Sequence, residues 1–281
     1  LAAFSCDDGG GAAATDDVVV EVATPDLMET VEPDMESQGN LETAPDLSGS
    51  WVLVQIYSSK SNIPFVGETT QTTTAVLLVD LTQEDDQLDF TAEVCALGIS
   101  SESTLVKTVL PDALVNAIPI ASRKATMQRE GGEWRYVEPA FSEVWGATLD
   151  NVENDPLPTS GDDPEVVDLD QDGNPGVTVR VAGLISGEIY VVQRRTTALA
   201  GTVQPGGWVH GLNEWSIEQV TLGSDNPTLE ANQPEEYVNP DAEASHFCLV
   251  RLPADSNCES VLADAQALME SVGATCAIQL D

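Results

Sequence analysis

From Trp51 onward the chain alternates between apolar and polar residues with a period of two. This period is typical of β-strands that have one face on a core. We therefore predict roughly nine or ten strands, with boundaries good to about three residues. Three apolar rows show the pattern: Ala75, Leu77, Val79 and Leu81; Leu88, Phe90, Ala92, Val94 and Ala96; and Val177, Val179 and Val181.

Turn residues separate some of these rows. The polar stretch Gln83–Gln87 predicts a hairpin loop between two rows, and the Pro205–Gly207 stretch predicts a second hairpin. Gly201 and Gly211 lie at equal distances on either side of Gly206. We expect these two glycines to face each other across the hairpin, where paired glycines mark a sharp bend.

Near the C-terminus the period changes to three and four, which predicts an amphipathic helix over residues 257–272. Ser256 and Glu259 are spaced as a capping box, and Gly273 supplies the stop. The fold class is therefore predicted as all-β: a single antiparallel β-barrel or sandwich over residues 47–281 with one C-terminal helix. The apolar helix face consists of Cys258, Val261, Leu262, Ala265, Leu268, Met269 and Val272.

A Gly-Ser-Trp sequence opens the first strand at residues 49–51, and Arg251 follows the last strand. With the order of elements, these residues resemble the lipocalin or wider calycin family, whose barrels are closed by a C-terminal helix. The resemblance implies that Arg251 packs over Trp51 and that the barrel interior carries a small apolar ligand. The Thr-Asp pair ahead of a Tyr, a middle motif of that family, is absent, and the connections over residues 138–172 are longer than a compact lipocalin needs.

Composition narrows the range of partners. The chain has 48 acidic residues against 10 Lys and Arg, a formal net charge of −38 at pH 7. This field repels phosphates, which excludes a nucleic-acid partner, and it favours cations. Two alternatives explain the excess of negative charge: adaptation to a saline medium, or a specific cation-dependent role. No run of about 18 or more apolar residues predicts a membrane-spanning helix.

The first residues resemble the end of a bacterial lipoprotein signal. An apolar stretch, residues 1–5, ends in a serine before Cys6, and the chain then becomes acidic and glycine-rich. We predict that residues 1–5 are a signal-peptide remnant, that Cys6 is lipidated and anchors the protein to a membrane, and that residues 6–46 form an acidic, disordered linker. An ordinary secretory signal with an unrelated cysteine is the alternative.

The four cysteines beyond Cys6 are expected to form two disulfides in an oxidising compartment. Pairing Cys258 with Cys276 is excluded, because the helix carries the chain farther than the short tail can return. Two arrangements remain open. We favour Cys95–Cys276 with Cys248–Cys258, because only a short loop separates the latter two residues; the alternative is Cys95–Cys258 with Cys248–Cys276.

An Asp-x-Asp-x-Asp-Gly sequence predicts a calcium site. Asp168, Asp170 and Asp172 supply hard oxygens, the following Gly173 permits a tight turn, and Asn174 offers a main-chain carbonyl. The loop resembles the first half of an EF-hand, but its twelfth position lacks the bidentate Glu and a strand follows. It is more similar to the loops of extracellular repeat and adhesion domains. A solvated acidic turn is the alternative, and further ligands are available from Asp162, Asp163 or Glu165.

Catalytic motifs are lacking: the sequence has 2 histidines, His210 and His246, and no nucleophile elbow or phosphate-binding glycine loop. The leading hypothesis is a non-catalytic, calcium-stabilised lipoprotein of the bacterial cell envelope, outer membrane favoured, with a binding or structural role towards an envelope protein. The second is a lipocalin-like carrier, which a cavity of roughly 300 Å³ or more would favour over a filled barrel. The third is a calcium-dependent hydrolase or lyase, which requires a cleft beside Asp168–Asp172.

Overall fold

The structure is a computed structural model that describes residues 43–280, except 64–66, 104 and 232–234. The predictions for the signal remnant, for Cys6 and for the linker as far as residue 42 lie outside the described residues. Residues 43–46, the end of the predicted linker, have no helix or strand.

Within the described residues, eleven strands form one sheet, and helices connect or flank them. None of these helices is both long and apolar enough to cross a membrane. In chain order the elements are β1 (Gly49–Ile63), β2 (Gly67–Glu84), β3 (Gln87–Ser101), β4 (Val106–Val109), α1 (Asp112–Ala117), β5 (Ala121–Glu130), β6 (Glu133–Trp145), β7 (Val177–Gly183), β8 (Gly187–Val203), β9 (Val209–Ser224), α2 (Pro227–Ala231), β10 (Glu235–Val238), a 3₁₀ turn (Ala242–Ala244), β11 (His246–Arg251) and α3 (Cys258–Ser271).

Eight of the strands close into a ring, so the all-β fold is confirmed, in its barrel form. The ring follows the chain order β1, β2, β3, β5, β6, β8, β9 and β11, and β11 pairs back with β1. Every pair in the ring is antiparallel. A barrel built from neighbouring strands in this way has no free edge along its closed part.

The ring is closed by hydrogen bonds only in its lower half, the half that contains the turn at Asp85–Asp86. The β6–β8 ladder ends where Trp145 pairs with Gln193, and β7 then takes the place of β6 beside β8. On the other side β11 pairs with β9 no farther than Leu212, and β10 lies beside β1 instead. The upper half therefore consists of two wings, β10-β1-β2-β3 and β4-β7-β8-β9, and in the described strands no ladder joins β3 to β4 or β9 to β10.

The lower half of the barrel is filled by a buried apolar cluster. Trp51 is fully buried there and donates from its indole Nε1 to the carbonyl oxygen of Leu47 at 2.7 Å. The Arg251 guanidinium carbon lies 4.4 Å from the centroid of the Trp51 ring. This is the contact that the lipocalin resemblance predicts. The cluster also contains Leu53, Leu77, Val79, Leu81, Leu88, Phe90, Met127, Tyr136, Leu199, Val209, Phe247 and Leu249.

The hairpin between β8 and β9 bends as predicted. Gly201 and Gly211 are direct partners across the ladder. A Cβ on Gly211 would lie 2.1 Å from the Ala200 carbonyl oxygen, and a Cβ on Gly201 would lie 2.8 Å from the Phe247 ring. Neither position has room for a side chain, because the two backbones meet here against the core.

One predicted apolar row is wrong at its end. A β-bulge at Cys95 shifts the β2–β3 register, so that Val94 pairs with Leu77 but Ala96 pairs with Val76. The extra residue exchanges the faces of β3. Ala96 therefore lies outside the barrel with Cys95, whereas Leu97 packs against the interior cluster.

The C-terminal helix α3 packs on the outside of β1, β2 and β11. Val261, Ala265 and Met269 are buried in this contact, whereas Leu262, predicted on the same face, is 45% exposed. The predicted cap is displaced by one residue. Asn257, not Ser256, is the N-cap, and it forms the reciprocal pair of hydrogen bonds with Ser260, because its amide oxygen reaches the free backbone N–H.

The cysteines form two disulfides, but in the pairing that we did not favour. Cys95 bonds to Cys258, with Cα atoms 5.1 Å apart, and Cys248 bonds to Cys276, with Cα atoms 5.9 Å apart. The expectation was wrong because the short loop after β11 does not turn back on itself. It carries the chain across the outer face to β3, where α3 begins, and the tail after the helix returns to Cys248.

Candidate functional site

The middle of the barrel contains a charged layer above the apolar cluster. Arg123 on β5 donates to a Glu138 carboxylate oxygen on β6 at 3.1 Å, and the two side chains are 6% and 1% exposed. The Tyr136 hydroxyl donates to the other Glu138 oxygen at 3.0 Å. The Arg123 guanidinium carbon lies 3.9 Å from the centroid of the Phe141 ring. The buried ion pair is thus hydrogen-bonded on both oxygens, which is the condition for tolerating charges in a core.

Burial dominates the acidity of this layer. It raises the pKa of Glu138, against the opposing effects of the Arg123 charge and of the hydrogen bonds from Arg123 and Tyr136. It also raises the pKa of Tyr136 well above the usual value, so the phenol stays a hydrogen-bond donor. A second carboxylate, Glu143 on β6, acts electrostatically on Arg123.

Above the charged layer the two wings enclose a cavity of about 130 Å³. Its walls are mostly apolar side chains of both wings, and α1 covers the gap between β3 and β6 through the fully buried Leu114. The cavity is smaller than the roughly 300 Å³ that the carrier hypothesis specified. The apolar lining residues include Ile99, Val106, Leu110, Val179, Val181, Ile189, Val191 and Ile217, and the polar and aromatic ones are Ser61, Gln71, Thr73, Thr108, Trp145, Gln193, Arg195, Trp215, Gln219 and Glu236.

Aromatic rings hold Arg195 at this cavity. The guanidinium carbon of Arg195 lies 4.7 Å from the ring centroid of Tyr57 and 5.0 Å from that of Trp145. The Tyr57 ring in turn packs edge-on against Trp215, at 5.3 Å between centroids. Burial raises the pKa of Tyr57, and the nearby Arg195 charge opposes this effect. Tyr57 thus remains neutral, and the site combines one cation with π-faces.

The predicted calcium loop lies in the long connection between β6 and β7, which packs on the outer face of β8 through Leu149 and Leu157. The structure brings Asp168, Asp170 and Asp172 together: one carboxylate oxygen from each lies within 4.8 Å of the other two. Backbone hydrogen bonds shape the loop. Both oxygens of Asp168 accept from backbone N–H groups within it, at 3.1 and 2.9 Å.

Asp170 is the buried member of the three, 5% exposed. One carboxylate oxygen accepts from the Thr178 backbone N–H at 3.0 Å, and the other is buried without a hydrogen-bond partner in the described residues. Burial raises the pKa of Asp170, and the charges of Asp172 and Asp168 add to the rise. An orphaned buried carboxylate oxygen beside two further carboxylates fits a hard cation.

Asn174, whose main-chain carbonyl is the predicted ligand, uses its side chain to hold the loop together. Its backbone N–H and its amide donate to the two oxygens of Asp172, at 2.8 and 3.2 Å. Burial alone would raise the pKa of Asp172, but the nearby Thr178 hydroxyl, the hydrogen bonds from Asn174 and the charge of Arg180 lower it. Asp162, Asp163 and Glu165 are not part of the cluster of three.

The loop does not border either of two concavities formed by the described residues. The second of these, an open groove of about 810 Å³ on the outer face of β6, β8 and β9, contains none of the three aspartates, and neither does the cavity between the wings. The hydrolase hypothesis required a cleft beside the loop, and these two concavities do not supply it.

The two histidines, His210 and His246, lie beside each other outside the barrel, with their ring centroids 6.0 Å apart.

The charged interior was missed by the sequence analysis, although its signal was present. Arg195 lies in the row Val191, Gln193, Arg195, Thr197 and Leu199, which faces inward. The row ends in apolar residues, so alternation alone would have directed the arginine into the barrel. In β6 a bulge between Glu138 and Phe141 interrupts the alternation of inward and outward residues, so the same pattern is not visible there.

Comparisons with known protein families and with curated proteins find no match for this chain.

Proposed function

We propose that this chain is a binding protein whose barrel holds a small molecule between its two wings. The observation that carries the proposal is the cavity of about 130 Å³ above a filled lower core. Mostly apolar walls with a few polar groups are the usual composition of a ligand site. The chain-order barrel, the external α3 and the Trp51–Arg251 contact further support the resemblance to lipocalins.

The cavity volume restricts the ligand to about the size of one ring. An apolar cavity of roughly 150 Å³ is known to accommodate benzene. We therefore propose a smaller ligand than the carrier hypothesis first assumed. Two disulfides support an extracytoplasmic site of action. Lipidation of Cys6, anchoring to the bacterial envelope and an envelope protein partner stay predictions.

A neutral ring-sized probe tests the cavity. We expect fluorobenzene at millimolar concentration to bind the full chain, measured as a shift and broadening of its ¹⁹F resonance. Ile217→Trp should abolish this binding, because Ile217 forms part of the cavity wall and the larger ring fills the space.

Ser216→Trp is the matched control, since Ser216 is the adjacent, exposed residue of the same strand. It places the same indole ring outside the barrel and should leave fluorobenzene binding unchanged. Binding that survives Ile217→Trp, or is absent from the wild type, would contradict the proposal.

A second proposed function is calcium binding at Asp168, Asp170 and Asp172, which would fasten the long connection to β7. The specific observation is the orphaned Asp170 oxygen within the cluster. Calcium bound here would neutralise three mutually repelling carboxylates and supply the missing partner. Without the bidentate Glu, we expect a weak site with a dissociation constant of about 10⁻⁴–10⁻³ M.

Calcium at about 10 mM should raise the melting temperature by roughly 3–10 °C relative to chelator, because binding to the folded state adds directly to stability. Asp170→Ala should remove the shift. Asp162→Ala removes one exposed negative charge from the same connection and should keep it. If both variants respond as the wild type does, calcium acts only by screening the charge of −38.

A further inference from the structure

The charged side chains inside the barrel are not paired one to one. Arg123, Glu138, Glu143 and Arg195 project from β5, β6 and β8 into the interior. Arg123 is bonded to Glu138 and also feels the charge of Glu143, so two carboxylates share one guanidinium. Arg195 pairs with Glu143 in the β6–β8 register, yet among the described residues no carboxylate oxygen lies within 4.0 Å of the Arg195 guanidinium.

Arg195 also lacks the hydrogen bonds that other arginines make. Arg123 and Arg194 each donate to a carboxylate. Among the described residues the Arg195 guanidinium makes no hydrogen bond at all; its Nε is buried without a partner, as are those of Arg123 and Arg194, but Arg195 lacks the carboxylate contact that the other two make. A buried donor that is left unpaired costs free energy comparable to a lost hydrogen bond. The aromatic contacts to Tyr57 and Trp145 stabilise the charge but accept none of its N–H groups.

The surroundings of Arg195 define what would satisfy it. Its planar fork of donors matches a carboxylate, which can accept two parallel hydrogen bonds. Gln193 and Gln219 are direct partners across the β8–β9 ladder and also line the cavity, where their amides offer further donors. The other lining residues are mostly branched aliphatic side chains of both wings, such as Ile189 and Val181, together with a few polar ones: Ser61, Gln71, Thr73, Thr108 and the exposed Glu236.

We infer that the cavity binds a small monocarboxylate, with its carboxylate on the Arg195 guanidinium and its apolar body between the wings. This inference rests on the proposed binding function and names the ligand class of the same cavity. The site gives an anion a local cation inside a chain whose net charge of −38 repels anions elsewhere. A ligand without the acid group would leave the arginine unpaired, so the site selects for the acid.

Pairs of probes that differ in charge alone test the inference. Calorimetric titration of the full chain would use isobutyrate and benzoate, each against the corresponding amide. We expect at least one acid to bind about 10- to 100-fold more tightly than its amide, the factor associated with a hydrogen-bonded charge pair. Arg195→Met keeps most of the side-chain volume and should abolish this preference.

Arg180→Met is the matched control. Arg180 lies on β7 in the same wing, but its side chain is 58% exposed and pairs with Glu188 on the surface. The variant removes the same charge outside the cavity, so the preference for the acid should remain. The wild-type comparison of each acid with its amide does not depend on whether Arg195→Met folds.

The outcomes separate this inference from the proposed function. Equal affinities for all acids and amides, or a preference that persists in Arg195→Met, would overturn the role of Arg195. If fluorobenzene still binds and is excluded by Ile217→Trp, the binding function stands in that case. If neither fluorobenzene nor any acid binds, both the binding function and the ligand class are wrong.

Discussion

Arg123→Met should lower the free energy of unfolding at pH 7 by about 3–5 kcal/mol, because it leaves the Glu138 carboxylate buried without its counter-charge. Glu138 is 1% exposed in its side chain, so water cannot replace the lost partner. The measurement is chemical denaturation of the wild type and the variant. We expect the double variant Arg123→Met/Glu138→Gln to recover most of the loss, since the amide stays neutral and still accepts from the Tyr136 hydroxyl.

Arg135→Met is the control for removing an arginine. Arg135 lies on β6 and pairs with Glu130, but these side chains are 37% and 71% exposed. An exposed pair of this kind contributes roughly 0–1 kcal/mol, so the control should change stability little. An equal decrease in the free energy of unfolding in Arg123→Met and Arg135→Met would show that the buried ion pair contributes no more to stability than the exposed one.

The loss in Arg123→Met should depend on pH. Burial raises the pKa of Glu138 above its ordinary value of 4.5, and removal of the Arg123 charge raises it further. The folded variant then binds a proton that the unfolded chain releases near pH 4.5. The destabilisation by the buried Glu138 charge is therefore complete at pH values above the raised pKa of Glu138 in the folded variant. It is absent at pH values below the pKa of Glu138 in the unfolded chain. Relative to the wild type, the loss should shrink by at least about 1 kcal/mol between pH 7 and pH 5.

Removal of the Cys95–Cys258 disulfide should also have a large effect. The bond closes a sequence separation of 163 residues, for which the loss of loop-closure entropy in the unfolded chain corresponds to about 5 kcal/mol. We expect Cys95→Ala/Cys258→Ala to lose stability of this order in denaturant. Both cysteines are half-buried, so little packing is lost with them.

The slope of the unfolding transition identifies the cause. Without the bond the unfolded chain expands and exposes more surface, so the denaturant m-value should increase. Cys95→Ser/Cys258→Ser should behave like the alanine variant, because the effect comes from the missing link and not from side-chain contacts. A loss below about 1 kcal/mol with an unchanged m-value would contradict this explanation.

Local signals in the sequence were sufficient for the parts of the fold that local chemistry determines. The turn at Asp85–Asp86, the facing pair Gly201 and Gly211 and the helix α3 follow from turn residues and from periodicity. The bulge at Cys95 did not, because one inserted residue leaves composition unchanged and reverses every later side chain. The disulfide pairing failed for a related reason: the path of the loop after β11 depends on the curvature of the barrel.

The candidate sites differ in the same way. Asp168, Asp170 and Asp172 could be predicted because a calcium loop draws its ligands from one short segment. The cavity beside Arg195 draws its lining from most of the strands and from α2, so no contiguous pattern encodes it. Alternation placed some of these side chains inward, but it could not show which of them lack a partner. That property depends on distances between strands far apart in the sequence.

The division of the upper barrel into two wings has a consequence for kinetics. A molecule in the cavity can exchange with solvent when the gap between β3 and β4, or between β9 and β10, widens, and no backbone ladder of the described strands must break for this. Residence time is then limited by side-chain contacts across the gaps and by the ligand's own interactions. Opening the lower ring would instead require breaking a continuous ladder. Loading and release are thus expected on the timescale of loop motions, without local unfolding of the barrel.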